Sequence, residues 1–288
     1  MTTIKSLADA NSQALSQRIE DLLVERNLRG MKTVQPALTP GYYARASALM
    51  SAACDAAGYV LIGTGFPVTD TFETDGPVGA IALYNALETL GAKPVLVCGP
   101  PLCDELAEDY RIEPLIVGPH AEQDEEAREA LSRWQPSLII SIERPGKAAD
   151  GNYYNMRGED ISARAACFDS FMEQANCPTI AIGDGGNEIG MGNIQETLKG
   201  LDIIPSSTTC SELVIADVSN WGALGLIALL SWQRNLDLLN DIDSLAILEY
   251  LSQRGSVDGV TRLNELTEDG LPASEGIELI ARLRELVH

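Results

Sequence analysis

Two glycine-rich acidic strings are the places in this chain where chemistry can be done: Glu73-Thr74-Asp75-Gly76-Pro77 and Gly183-Asp184-Gly185-Gly186-Asn187-Glu188. Glycine lets the main chain approach a ligand closely, so acids set among glycines can be aimed at one point. Residues 183–192 hold five glycines in ten. Ordering so much backbone costs entropy, which makes sense if Asp184, Asn187 and Glu188 must converge; a solvated surface turn is the plainer alternative. The chain has only two histidines, His120 and the C-terminal His288. A His-rich zinc site is therefore excluded, and a Ser-His-Asp or Cys-His arrangement would have His120 alone to draw on. Acid–base and ligand chemistry must rest mainly on carboxylates, with Lys, Arg or Tyr in support. Asp, Glu and Asn oxygens are hard donors that suit a divalent cation, Mg²⁺ or Mn²⁺ with Ca²⁺ as a further choice, rather than zinc or copper. Without such a cation, acids gathered at one strand edge repel one another.

Other loops join these two. Gly63-Thr64-Gly65-Phe66-Pro67 precedes the first string, and its glycines admit a ligand, but the third glycine of a dinucleotide fingerprint is missing and no Walker A loop exists. Asp75 can be explained as the N-cap of a following helix; Glu73 has no such structural excuse. Residues 141–158 form the longest polar connection, with Glu143, Arg144, Lys147, Asp150 and Arg157, and long loops in compact domains often carry function. In Asp217-Val218-Ser219-Asn220-Trp221-Gly222, Ser219 or Asn220 reads first as an N-cap.

These loops need a scaffold, and short apolar runs alternating with helical segments supply it. Strands are expected at 59–62, 94–98, 115–117, 138–142, 179–182 and 212–216. Helices are expected at 7–29, after Pro40, and at 77–90, 102–110, 122–134, 161–174 and 221–234. The strands are rich in Val, Ile and Leu without alternation, as in a parallel sheet covered on both faces. The expected fold is α/β: a doubly wound, mostly parallel sheet with helices on both faces and extra helices at both termini. Residues 1–57 read as a helical lead-in packed on the core, 58–235 as the α/β metal- and substrate-binding core, and 236–288 as a C-terminal helical segment broken at Gly255 and at Glu268-Asp269-Gly270-Leu271-Pro272. In such sheets ligands sit beyond the carboxyl ends of the strands, where the acidic loops fall.

Composition sets the outer bounds. The 288 residues carry 42 acidic against 20 basic side chains, a formal charge of −22, which argues against nucleic-acid binding and docking on an anionic membrane. No basic-then-apolar leader opens the chain, and its apolar runs are too short to span a bilayer. The six cysteines include no Cys-x-x-Cys pair, so a reduced, cytoplasmic protein is expected. The N-terminal helix and the apolar run 221–232 are each long enough for a homo-oligomeric contact; burial against the sheet is the simpler use.

Taken together and in order, several segments resemble the D-glutamate cyclase C-terminal domain family: Arg29-Gly30-Met31, Gly63 to Pro67, Glu73 to Pro77, Glu143-Arg144-Pro145-Gly146, Asp150-Gly151 with Tyr154 and Met156-Arg157-Gly158, Gly183 to Gly192, and Val218 to Gly222. The resemblance implies a lyase that interconverts D-glutamate with 5-oxo-D-proline and water, and a small-molecule substrate that is an acidic amino acid or its lactam. It also implies a divalent metal among the acidic loops, assigned here to Glu73, Asp75, Asp184 and Glu188. Glu143, Asp150 and Lys147 are then the catalytic candidates. Thr64, Gly65, Arg157, Asn187 and Asn220 are the substrate-side candidates. A metal-dependent hydrolase of a small phosphate ester or amide, and a non-catalytic small-molecule or metal-binding protein, are the competing readings of the same loops.

Overall fold

The computed structural model describes residues 2–288, with side chains from residue 10 onward; most of the segment read for a leader lies outside those described side chains. Six strands form one parallel sheet: β1 Tyr59–Gly63, β2 Lys93–Cys98, β3 Ile112–Pro114, β4 Leu138–Ile142, β5 Thr179–Gly183 and β6 Glu212–Ile215. Their spatial order is β3-β2-β1-β4-β5-β6, and every neighbouring pair is parallel. Winding therefore runs outwards in one direction from β1 and in the other from β4, the doubly wound pattern expected from the sequence. β4 and β5 are buried at every residue, which is why their apolar runs do not alternate.

The principal helices are α1 Thr2–Leu23, α2 Tyr42–Asp55, α3 Pro77–Thr89, α4 Gln123–Trp134, α5 Ser219–Arg234, α6 Ser244–Ser252 and α7 Ala273–Val287. Right-handed crossovers put α3 on one face of the sheet and α4, with the short helix Asp169–Glu173, on the other. α5 is the hub of its face: α1, α2, α3 and α7 all pack on it, and residues 219–231 are buried without exception. The apolar run 221–232 is thus spent inside the molecule. No helix among the described residues is long and apolar enough to cross a membrane.

The sequence reading misplaces four elements, the first being the N-terminal helix, expected to run to Arg29 but ending at Leu23. The third strand pairs with β2 through Ile112–Pro114 rather than 115–117, because Arg111 O already receives the Leu96 N–H and starts the ladder earlier. The helix expected at 102–110 closes at Leu106. The helix expected at 161–174 shrinks to Asp169–Glu173. Its apolar spacing is helical, but Ala165 O accepts from Gly118 N and Ala166 O accepts from the Arg144 guanidinium; tertiary bonds take the carbonyls a helix would need. Two short hairpins, Pro67–Val68 with Thr71–Phe72 and Thr267–Glu268 with Leu271–Pro272, add to the expected elements.

A candidate metal and substrate site at the switch point

β1 and β4 lie side by side, and the chain leaves their carboxyl ends in opposite directions. The crevice that opens at such a switch point collects the loops after β1, β4, β5 and β6. A fifth contributor comes from beyond the sheet. Thr74 N donates to Val257 O at 2.9 Å, Val257 N to Phe72 O at 3.0 Å, and Thr74 Oγ1 to Thr267 O at 2.8 Å. The C-terminal segment is therefore stitched to the β1 loop and brings Asp258, Glu268 and Asp269 with it.

Two helices begin at the crevice, and each is capped by a residue at the start of the other. The Asp75 carboxylate accepts from Ser219 N at 3.0 Å and Asn220 N at 2.7 Å, at the start of α5. Asn220 Oδ1 accepts from Gly76 N at 2.8 Å and Gly79 N at 2.7 Å, at the start of α3. Helix N-termini expose unpaired N–H groups and partial positive charge, so each cap satisfies donors and steadies an oxygen. The exchange needs very close approach. Gly76 has φ 93°, and a Cβ there would stand 2.8 Å from the Glu143 Cβ. Asn220 Nδ2 donates to Thr74 O and to Glu268 Oε2 at 2.7 Å, which fills its hydrogen-bonding capacity.

On the crevice floor, Asp75, Glu143 and Asp184 each offer a carboxylate oxygen within 4.8 Å of the others. All three are buried, with exposures of 1%, 6% and 2%. Glu143 takes a left-handed backbone (φ 44°) unusual for a residue with a side chain, and its Oε2 accepts from Ser219 Oγ at 2.5 Å. Arg29 is the guanidinium on this floor, donating to Asp184 at 2.7 Å and Asp269 at 2.5 Å. Burial pushes the Glu73, Asp75, Glu143 and Asp184 carboxyls well above the usual range, and neighbouring carboxylates add to it: Asp269 for Glu73 and Asp75, Glu188 for Glu143. Burial opposes the Arg29 charge, yet Asp184 and Asp269 more than offset it and hold the guanidinium cationic. Asp269 moves the other way, its burial outweighed by Arg29. The other four acids, Glu73, Asp75, Glu143 and Asp184, would hold their negative charge together if a cation joined them. Oxygen-only donors with so few competing hydrogen bonds on Glu143 fit a hard divalent ion.

Above this floor lies a cavity of about 290 Å³, lined by acids below (Glu73, Glu143, Asp184, Asp269) and by Arg157, Arg164 and Arg262 with Phe66, Val68, Met156 and Val260. Glu73 reaches into it from one side, its Oε2 pressed so close to Gly259 that a Cβ there would lie 2.0 Å away. Of the sequence candidates, Glu73, Asp184, Glu143, Arg157 and Asn187 line this cavity. Asn187 donates to Tyr154 O at 2.9 Å and leaves its Oδ1 buried without a donor among the described residues. Thr64 and Gly65 lie beneath it, their carbonyls accepting from Arg144 at 3.0 Å each. Glu188 turns back on its own loop and accepts from Gly185 N and Gly186 N at 2.7 Å each. Lys147 and Asp150 are not among the lining residues: Lys147 N is tied to Asp169 at 2.9 Å, and Asp150 sits at the surface on Tyr154 Oη and Asn152 N. The sequence reading does not single out Arg29, Arg164, Arg262, Asp258, Glu268 or Asp269 as site residues. The string Glu268-Asp269-Gly270 has the same acid–glycine texture as Asp75-Gly76 and was the signal available.

Comparison with known proteins gives this geometry a context. The family model described as D-glutamate cyclase-like, C-terminal, matches residues 19–284. Human mitochondrial D-glutamate cyclase is 34% identical over 194 residues, which is 58% of this chain and 32% of that protein; the chain thus spans about a third of that relative's length. Among solved structures, RecJ from Thermus thermophilus in complex with Mn²⁺ superimposes with a TM-score of 0.39 at 13% identity, covering 96% of this chain and 40% of that one.

Proposed function

The chain belongs to the D-glutamate cyclase-like C-terminal family, and on that premise we propose that it interconverts D-glutamate with 5-oxo-D-proline and water in the switch-point cavity. The observation that carries the reading is the polarity of that cavity, acids converging on its floor and arginines on its rim. In the forward direction the α-amine nitrogen attacks the γ-carboxyl carbon, a C–N bond forms, and the C–O bond breaks to release water. Two protons leave nitrogen and two reach the departing oxygen, so charge is conserved and the protein must carry protons rather than supply them.

The rim arginines would hold the α-carboxylate, which is unchanged by the reaction. Asp75, Glu143 and Asp184 would hold a divalent cation, whose chemistry when bound is to neutralise and polarise a carboxyl oxygen. Glu73 is the proton carrier in this scheme. It lines the cavity, its side chain makes no hydrogen bond to the described residues, and burial with Asp269 and Asp75 nearby favours its protonated form. Glu143 and Glu73 thus exchange the parts expected of them from sequence. Phe66, Val68 and Val260 would exclude bulk water that favours ring opening.

Incubating purified protein with D-glutamate, and separately with 5-oxo-D-proline, in the presence of Mn²⁺ or Mg²⁺ is the test. Interconversion from both sides, with oxygen from ¹⁸O-water entering D-glutamate, is expected. No interconversion in either direction with any divalent cation overturns the proposal.

A further inference from the structure

Of the three carboxylates that converge on the floor, two have strong holders. Asp75 is fixed by the leading amides of α5, and Asp184 by the Arg29 guanidinium. The Glu143 carboxylate has a single donor among the described residues, the Ser219 hydroxyl at 2.5 Å. A serine at the start of a helix ordinarily spends its hydroxyl on capping that helix. Here the four leading N–H groups of α5 are already taken. Ser219 N and Asn220 N donate to the Asp75 carboxylate, and Trp221 N and Gly222 N donate to Val218 O at 2.9 and 3.2 Å. No capping is left for the Ser219 hydroxyl, and Glu143 is its one partner among the described residues.

Both ends of this bond are firmly mounted. Ser219 is fully buried, and its own N–H is held by Asp75 Oδ2 at 3.0 Å. Glu143 N donates to Ile182 O at 3.2 Å, and the Glu143 Cβ stands against Gly76. One serine on the loop after β6 therefore ties the loop after β1, through Asp75, to the loop after β4, through Glu143. It reaches two of the three carboxylates placed to share a cation.

We propose that Ser219 is a positioning residue for the divalent cation, and that by holding Glu143 in one orientation it favours a small octahedral ion, Mn²⁺ or Mg²⁺, over Ca²⁺. Hydrogen bonds from outside a metal's ligand set fix the orientation of the ligands themselves. Small octahedral ions demand near-ideal geometry, whereas Ca²⁺ accepts variable numbers and arrangements of oxygens. A Glu143 carboxylate free to swing would thus penalise the small ion and leave the large one nearly unaffected. The inference rests on Asp75, Glu143 and Asp184 being the cation ligands, and it is read without turnover.

Calorimetric titration of the chelator-treated whole chain with MnCl₂ and with CaCl₂, for the unmodified protein and for Ser219→Ala, tests it. The alanine variant should bind Mn²⁺ roughly 10- to 100-fold more weakly and Ca²⁺ less than about twofold more weakly. The ratio of the two affinities is the decisive readout, because a general loosening of the site would weaken both ions alike. Ser219→Cys keeps the side-chain shape but donates only weakly, so its ratio should fall between those of the unmodified chain and S219A. It carries the test if the alanine variant does not fold. Equal losses for both ions, or an unchanged Mn²⁺ affinity in S219A, would overturn the role of Ser219 and leave the cation site standing. Binding of neither ion by the unmodified chain would overturn that role together with the cation site beneath it.

Discussion

Asp258 and Glu143 are both buried acids in loops that border the same crevice, yet their surroundings are opposite. Asp258 is fully enclosed and accepts four hydrogen bonds, from Val260 N, Thr261 N, Thr267 Oγ1 and Gly270 N, at 2.6–2.8 Å. Glu188 is of the same kind, its two oxygens facing the amides of its own glycine loop. Glu143 receives one side-chain hydroxyl and otherwise faces other carboxylates. Residue type and burial are the same in both groups. What separates an acid that builds a loop from one available for chemistry is the number of donors already aimed at it.

Substitutions on the two sides should therefore fail in different ways. Glu143→Gln should lower turnover about a thousandfold, roughly 4 kcal/mol of transition-state stabilisation, while stability in chelator-treated buffer holds or rises because repulsion on the floor is relieved. Initial rates and urea melts on the same preparation read both; a large stability loss would mean that Glu143 is structural after all. Asp258→Ala should cost about 3 kcal/mol of stability, since it removes the acceptor of three amides and a hydroxyl at once, and urea denaturation measures it. A loss below about 1 kcal/mol would erase the distinction drawn between the two acids.

Glu268 lies between the groups, with one donor on Oε2 and burial that pushes its carboxyl up to about 7. The folded protein holds this proton more tightly than the unfolded chain does. The associated stability is complete below pH 4.5 and lost as pH rises through about 7. Glu268→Gln should remove on the order of 2 kcal/mol of that slope in cation-free buffer; an unchanged pH profile would show that the carboxyl is not held protonated. The smallest effect is expected from the ligand itself. Saturating Mn²⁺ or Mg²⁺ should raise the melting temperature by about 3 °C, and Asp184→Asn should abolish most of that rise. A full response in D184N would move the cation away from the floor.

Much of this was legible in the residues. The apolar runs of β4 and β5 announced a covered parallel sheet, and the glycine density of residues 183–192 announced a loop under constraint. The roles within the loops were less legible because they depend on partners far away in sequence. Asp75 reads as the cap of its own helix but caps α5, while Asn220 does the reverse for α3. Asp269 sat in what looked like a helix break, because its texture shows only when laid beside Asp75-Gly76. Lys147 and Asp150 were drawn in by the charge gathered in a long loop and, for Asp150, by the family resemblance, and none of these says which way a side chain turns.

The Arg29 bond to Asp269 joins residues 240 positions apart. A ribosome adding roughly 5–20 residues per second needs about 12 s or more to travel between them. Throughout that interval the nascent chain carries Arg29, and later Asp75, Glu143 and Asp184, with no Asp269 to close the floor. The centre is thus complete only once the hairpin Thr267–Pro272 has emerged. A product truncated before that hairpin would keep most of its sheet but no completed acidic floor, so synthesis itself acts as the check on when the site can first exist.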